Sequence, residues 1–188
     1  MARGYPALLV LFLLASLVPA GLRAAGTPAA AVFDALPQQW RDDKGDSFDL
    51  QGLRGQPVIT TMAYAECHRI CPMTIQQLRL LQRRCDELGV AAQFVIVGYD
   101  PETDDAAAWH HYRRTHGLNR SNWHFLVGSP QSVKQFARAL GFEFWKVDDH
   151  VMHDSRIVYL DGRGGVLVDP KPDFVNGPLG RGPTPPIP

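Results

Sequence analysis

The chain has 188 residues, 45% of them hydrophobic, and its nineteen basic side chains balance nineteen acidic ones. That length supports one domain with its own core and is short for two. The even balance, with no basic stripe, excludes nucleic acid as a partner, since binding it needs a clustered positive surface.

The N-terminal residues read as a targeting segment. Arg3 supplies positive charge, "ALLVLFLLASLV" (Ala7 to Val18) is an uninterrupted apolar run, and small residues follow in "PAGLRAAG". This is the layout of a signal peptide over residues 1–24, with cleavage expected after Ala20 or Ala24. The run is short for a membrane span, and an uncleaved anchor over Tyr5 to Leu22 is the lesser reading. No cysteine stands near the cleavage region to carry a lipid. Export matters because thiols outside the cytoplasm oxidise unless something reduces or ligates them.

An alanine-rich linker is expected over residues 25–39, followed by a small hairpin or loop in "WRDDKGDSFDLQGLRGQ". "PVITTMAY" (Pro57 to Tyr64) is apolar and β-branched, as a buried strand should be. A helix begins at Cys71-Pro72, because proline is favoured at a first helical position, and Cys71 serves as its cap. Its apolar stripe runs Ile75, Leu78, Leu81, Cys85, Leu88, and Gly89 ends it. "AQFVIVGY" (Ala92 to Tyr99) is the next strand. Asp100-Pro101 makes a turn, and a second helix follows with Thr103 or Asp104 as cap. "NWHFLVG" is a strand, and "SPQSVKQFARALG" is a helix with Pro130 in its first turn and Gly141 after its end. "SRIVYLDGRGGVLVD" is a β-hairpin turning around Gly162 to Gly165. Strands alternating with helices, closed by a hairpin, predict an α/β domain over residues 40–169 with a mainly parallel sheet and helices on both faces. The remainder, residues 170–188, is dense in proline and glycine and reads as an extended tail.

The chemistry sits in "YAECHRICPMT" (Tyr64 to Thr74), where Cys67 and Cys71, with three residues between them, stand between a core strand and its helix. With Cys85 they make three cysteines, an odd count that excludes a disulfide-stapled scaffold. A cysteine at a helix N-terminus is stabilised as thiolate by the dipole and free amides. Two thiolates in a loop of this width can form a disulfide or open to clamp a soft metal ion, copper(I) or zinc. Position between strand and helix is where thioredoxin-like proteins carry their active site. A plain structural disulfide is the blander alternative, though so small a loop gains little from cross-linking.

"YAECHRICPMTIQQLRLL", "VIVGYDPETDD", "WHFLVGSP" and "HVMHDSRIVYLDGRGGV", in that order, resemble the Sco/SenC family over about Trp40 to Asp169. The resemblance implies a thioredoxin-like copper protein that assists assembly of the binuclear copper site of cytochrome c oxidase. It implies a ligand set of Cys67, Cys71 and His153, holding copper(I), copper(II) or both. It implies as partners a copper-receiving oxidase subunit and an upstream copper donor or thiol reductant, in a periplasmic or otherwise exported setting. Members of the family usually close with a further helix, and here the Pro/Gly-rich tail stands in its place.

Other residues have simpler readings. His150 is near enough to compete with His153, which is preferred because it directly precedes "DSRIVYL". Without the resemblance His153 reads as a loop histidine hydrogen-bonded to Asp149 or Asp154; with it, ligation is preferred. His68 is a solvated neighbour in the cysteine loop, His110, His111 and His116 lie on a polar helix surface, and His124 sits at a strand edge. Cys85 is expected as a buried free thiol acting as a small hydrophobe, and Met62 and Met73 as packing. Three function classes follow: a copper-delivering chaperone, a thiol–disulfide oxidoreductase that reduces a copper-receiving partner through Cys67 and Cys71, and a peroxiredoxin-type peroxidase. The last is disfavoured, because Tyr64 stands where a Thr or Ser would precede the nucleophilic cysteine by three residues.

Overall fold

Residues 31–65, 71–148 and 150–166 are described by a computed structural model. The expected leader and the Pro/Gly-rich tail lie outside them. No helix among the described residues is long and apolar enough to cross a membrane.

The run "VITTMA" has no polar alternation, so both of its faces must be covered by apolar layers. It forms β3 (Val58–Ala63), buried at every residue, at the middle of a four-stranded sheet. Beside it lies β4 (Gln93–Gly98), parallel, with Val58 opposite Gln93 and Ala63 opposite Gly98. Beyond β4 comes β5 (Trp123–Leu126), also parallel. On the other side β8 (Ile157–Leu160) runs antiparallel, Thr61 opposite Ile157. The sheet order is therefore β5-β4-β3-β8.

Side-chain alternation sorts the sheet into two cores. Val58, Met62, Val95, Val97, Val158 and Leu160 share one layer with Phe136 and Leu140 of α4 (Pro130–Leu140). Ile59, Phe94, Ile96, Ile157 and Tyr159 share the other with α2 (Cys71–Leu88) and α3 (Ala106–Thr115). Helices thus cover both faces, the thioredoxin-like arrangement expected from the sequence. The α4 ends are set by local chemistry: Ser129 accepts from the Ser132 amide, and Gly141 takes the left-handed conformation at φ 74°.

Several expectations need correction. The stretch read as linker contains α1 (Ala31–Ala35), whose Phe33 is fully buried and is followed by buried Leu36. These side chains pack with α4 and Trp40, so ordered structure starts upstream of residue 40. The expected small hairpin is present as β1 (Trp40–Arg41) paired with β2 (Ser47–Phe48), followed by a short 3-10 turn at Leu50–Leu53. Leu88 is exposed at the end of the α2 stripe, while Ile75, Leu78, Leu81 and Cys85 are buried as expected. Asp105, not Thr103 or Asp104, caps α3, its carboxylate accepting from the Ala108 amide at 2.7 Å.

A hairpin that the sequence reading lacked precedes β8. It pairs β6 (Phe144–Val147) with β7 (His150–His153), Trp145 opposite Met152. Its residues alternate between the protein and the outside. Phe144 and Val151 pack on the core, whereas Trp145, Val147 and Met152 are exposed. After β8 the chain turns as expected: Asp161 accepts from Gly164, and its amide donates to Gly165. Val166 returns to bridge Leu160, and the rest of that hairpin lies outside the described residues.

Candidate metal centre

Parallel strands deliver their following loops to one end of a sheet, where clefts for ligands form. Here that end collects the loop after β3, which contains Cys67, and the loop after β4. Because β8 runs antiparallel to β3, the segment just before β8 arrives at the same end. The Thr61 hydroxyl donates to the Arg156 carbonyl at 2.7 Å, which ties β3 to the segment before β8 there.

Of the three residues named as ligands, His153 is the one described in full. It is the last residue of β7 rather than a loop residue, and it is half-buried. Its ring stacks on Tyr99 at 4.6 Å between centroids. Tyr99 in turn follows β4, and its amide donates to the Ala63 carbonyl at 3.0 Å. A single residue therefore links the histidine ring to the end of β3. Cys71 is the first residue of α2 itself rather than the cap before it. Cys67 lies outside the described residues, as do Cys71's side chain and that of the competing His150. Among the described residues no group of three or more His, Cys, Asp or Glu is placed to hold a metal.

The hydrogen bonding of His153 determines which nitrogen is available. Nδ1 lies 2.5 Å from the Asp154 carbonyl oxygen. A carbonyl can only accept, so in the neutral ring Nδ1 carries the proton and Nε2 carries the lone pair. A donated Nδ1–H is the usual support for a ligating imidazole. The accepting carbonyl is itself held. The Tyr99 hydroxyl donates to it at 3.3 Å, and the Asp154 backbone and carboxylate pair with the backbone of Glu143 at 3.1 Å each. The Arg156 guanidinium lies 3.7 Å from the same carboxylate. The expected loop hydrogen bond to Asp154 therefore exists, through the backbone, and it suits the ring to ligation.

The chemistry of this donor set fits copper. Two cysteine thiols, the second at the start of α2, and one imidazole supply soft and borderline donors without a carboxylate.

Other candidate residues separate cleanly. Cys85 is a free, buried thiol, and burial, with help from Asp86, pushes its pKa up, which keeps it unreactive. Met62 is core, as expected, but Met73 is exposed near the start of α2. His110 and His111 are both exposed, as expected, and His110 also reaches buried Asp43 at 3.4 Å. His116 is half-buried and stacks on Tyr112 at 4.0 Å, which corrects the plain surface reading. His124 lies on the edge strand β5, its ring held by Gln93 at 2.8 Å. Burial, followed by the charge of Arg113, lowers its pKa.

One residue of this end of the molecule carried no functional signal in the sequence. Asp104 looked like a helix cap, yet it is fully buried. Its carboxylate accepts from the Ala65 amide at 2.7 Å and from the Asp100 amide at 2.9 Å. Asp100 itself forms the expected turn and pairs with Lys146 of β6 at 3.4 Å.

Comparison with known proteins agrees with this layout. The chain is 24% identical over 141 residues to the SCO1 protein homolog of Bacillus subtilis (strain 168), covering 73% of each. A structure of ScoI from Arabidopsis thaliana with copper bound matches with a TM-score of 0.62 at 23% identity, over 70% of this chain and 83% of that one. The structure of BsSco, described as having a disulfide switch and as a member of the Sco family of cytochrome c oxidase assembly proteins, matches equally. Its TM-score is 0.62 at 23% identity, over 70% of this chain and 79% of that one. The family model SCO1/SenC matches residues 35–174, so the chain belongs to the SCO1/SenC family.

Proposed function

We propose that this protein binds copper as cargo through Cys67, Cys71 and His153 and passes it to a subunit of a cytochrome c oxidase during assembly of its copper site. The observation that carries this reading is the state of His153. Its Nδ1–H is committed to a fixed carbonyl, its ring is braced by Tyr99, and its Nε2 is left with the lone pair. Membership of the SCO1/SenC family, the copper in Arabidopsis ScoI and the assembly role given for BsSco support it. Transfer would be ligand exchange: incoming thiolates of the partner replace Cys67, Cys71 and His153 one at a time. The charged and apolar N-terminal sequence, read as a leader over residues 1–24, supports an exported protein, periplasmic in a bacterium, either released by cleavage or held by an uncleaved segment.

Copper(I) accepts two soft donors, whereas copper(II) favours additional nitrogen. His153→Ala is therefore expected to keep copper(I) binding within about tenfold while weakening copper(II) binding and its sulfur-to-copper charge-transfer band. Cys67→Ser or Cys71→Ser impairs both states. Metal titration with visible spectroscopy checks this. Equal loss of both oxidation states in His153→Ala would count against the division of labour.

The helix-start position of Cys71 favours a second reading, reduction of the partner's thiols. A reductase needs both cysteines and no metal-binding histidine. If oxidase assembly in cells survives His153→Ala but fails with Cys67→Ser, reduction is the primary role.

A further inference from the structure

Resting on that reading of Cys67, Cys71 and His153, we propose that Asp104 is a positioning residue for the cysteine loop: one carboxylate oxygen holds the Ala65 amide and the other the Asp100 amide, which fixes how the chain leaves β3 towards Cys67.

Asp104 stands before α3 and does not cap it, because Asp105 provides the cap. It is nevertheless fully buried, in a place where a carboxylate is costly unless hydrogen-bonded. Burial pushes its carboxyl up to about 7, and Asp100 adds to that, against the lowering effect of the backbone donors. The donors come from two different loops. Ala65 is two residues before Cys67, and its amide lies 2.7 Å from Oδ1. Asp100 opens the loop after β4, and its amide lies 2.9 Å from Oδ2. The last backbone bond between the two strands' ends runs from Tyr99 to Ala63. Asp104 thus continues the tie between β3 and β4 past the end of the ladder, on the residue nearest the cysteine loop that the structure describes.

Gly98 is shaped around this contact. A Cβ there would come within 2.7 Å of the Asp104 Cβ and 3.1 Å of its Oδ2. The Trp109 indole nitrogen, buried without a hydrogen-bond partner among the described residues, lies 3.1 Å from the same point. Only glycine at the end of β4 leaves room for both groups. Asp100, whose charge also acts on Asp104, pairs its own carboxylate with Lys146 at 3.4 Å.

On this proposal, holding Ala65 two residues before Cys67 restricts how Cys67 can approach Cys71. Disulfide formation and copper clamping both depend on that approach, because each tolerates little error in the separation of the two sulfurs. Asp104→Asn keeps the shape but only one acceptor, since its amide nitrogen would face an N–H. Asp104→Ala removes both.

The test uses the full chain as wild type, Asp104→Asn, Asp104→Ala and Leu140→Ala, a core truncation on the opposite layer of the sheet. Two quantities are read: the equilibrium constant of the Cys67–Cys71 disulfide against glutathione buffers, and the copper(I) affinity by competition with a chromophoric chelator. Asp104→Asn should shift both by at least fivefold and move the copper(II) charge-transfer band, with Asp104→Ala further in the same direction. Leu140→Ala should lower the melting temperature and leave both within twofold. If the Asp104 variants behave like Leu140→Ala, Asp104 is only structural and the proposal is wrong. Where Asp104→Ala fails to fold, Asp104→Asn decides. If wild type binds no copper, the functional reading fails by itself, and the glutathione equilibrium still decides for or against Asp104.

Discussion

A fully buried carboxyl group must either be neutralised or be given donors, and Asp104 sits between those limits. Its pKa of about 7 lies far above the ordinary 3.8, chiefly because burial disfavours the charged form. Between those two values the folded protein holds a proton that the unfolded chain has released. Stability contributed by this group is therefore fully present below pH 3.8 and is lost as pH rises through about 7. Asp104→Asn removes the titration while leaving the other groups in place. Wild-type stability relative to that variant is expected to be greatest near pH 4 and to fall towards neutrality, by at most about tenfold in folding constant per pH unit. Urea denaturation of both proteins at several pH values measures it, and a flat difference would mean that the carboxyl is not held protonated. Nothing in "DPETDD" distinguishes this aspartate from its neighbours. Two acids follow one another, either can cap a helix, and only the packed sheet assigns one to the solvent-facing cap and the other to the interior.

At the scale of elements, the β6–β7 hairpin shows how alternation divides labour. Phe144, Lys146, Val151 and His153 point towards the body of the protein, the first packing on Tyr99 at 5.1 Å between ring centroids. Trp145, Val147 and Met152 point away and are exposed. The hairpin therefore serves as a bracket that carries His153 against Tyr99. Trp145→Ala is expected to change stability by less than about 0.5 kcal/mol, as for other surface positions. Phe144→Ala removes a packed ring and should destabilise by about 2 kcal/mol, less than the 3–5 typical of fully buried rings because Phe144 is only partly buried. It should also weaken copper(II) binding through His153. Chemical denaturation and copper titration of the two variants check this, and equal effects would show that the hairpin does not face as described. The sequence concealed this element because "FEFWKVDDHVMH" mixes charged and apolar residues without a turn glycine. Its register comes from the core it packs on.

For the whole molecule, the decisive feature is a sheet sandwiched between two apolar layers, with one layer completed from the N-terminal side. Phe33 and Leu36 insert beside Trp40, Val133 and Phe136, and the Gln51 side chain donates to the Phe33 carbonyl at 2.6 Å. A chain beginning at Trp40 should consequently be less stable than one beginning at Ala31 by more than about 3 kcal/mol, since it loses two buried side chains. Equilibrium denaturation of the two truncated proteins tests it. Equal stability would mean that α1 is a passive extension. Composition hid this helix. "AAGTPAAAVFDALP" looks like a linker because five residues of helix give no period to read, and its two anchoring side chains declare themselves only once their pocket exists.

The sequence by itself determined the order of the four core strands and of the three helices packed on them, the parallel centre of the sheet and the two-layer plan. Those features rest on local signals: unbroken β-branched runs, Pro72 and Pro130 at helix starts, and glycine at helix ends. It also named the family, because "CHRICPMT" and "HVMHDSRIVYL" are short, dense motifs. Tertiary structure alone decided that His153 ends a strand and keeps Nδ1 on the Asp154 carbonyl. It alone decided that Tyr99 joins that ring to the end of β3, and that Asp104 ties two loops together at the same place. The Tyr99–Ala63, Ala65–Asp104 and Tyr99–His153 contacts join residues distant in the chain, and the His153–Asp154 and Asp104–Asp100 bonds choose among near neighbours; neither leaves a mark in local periodicity. Only the close packing of the sheet against its helices selects them.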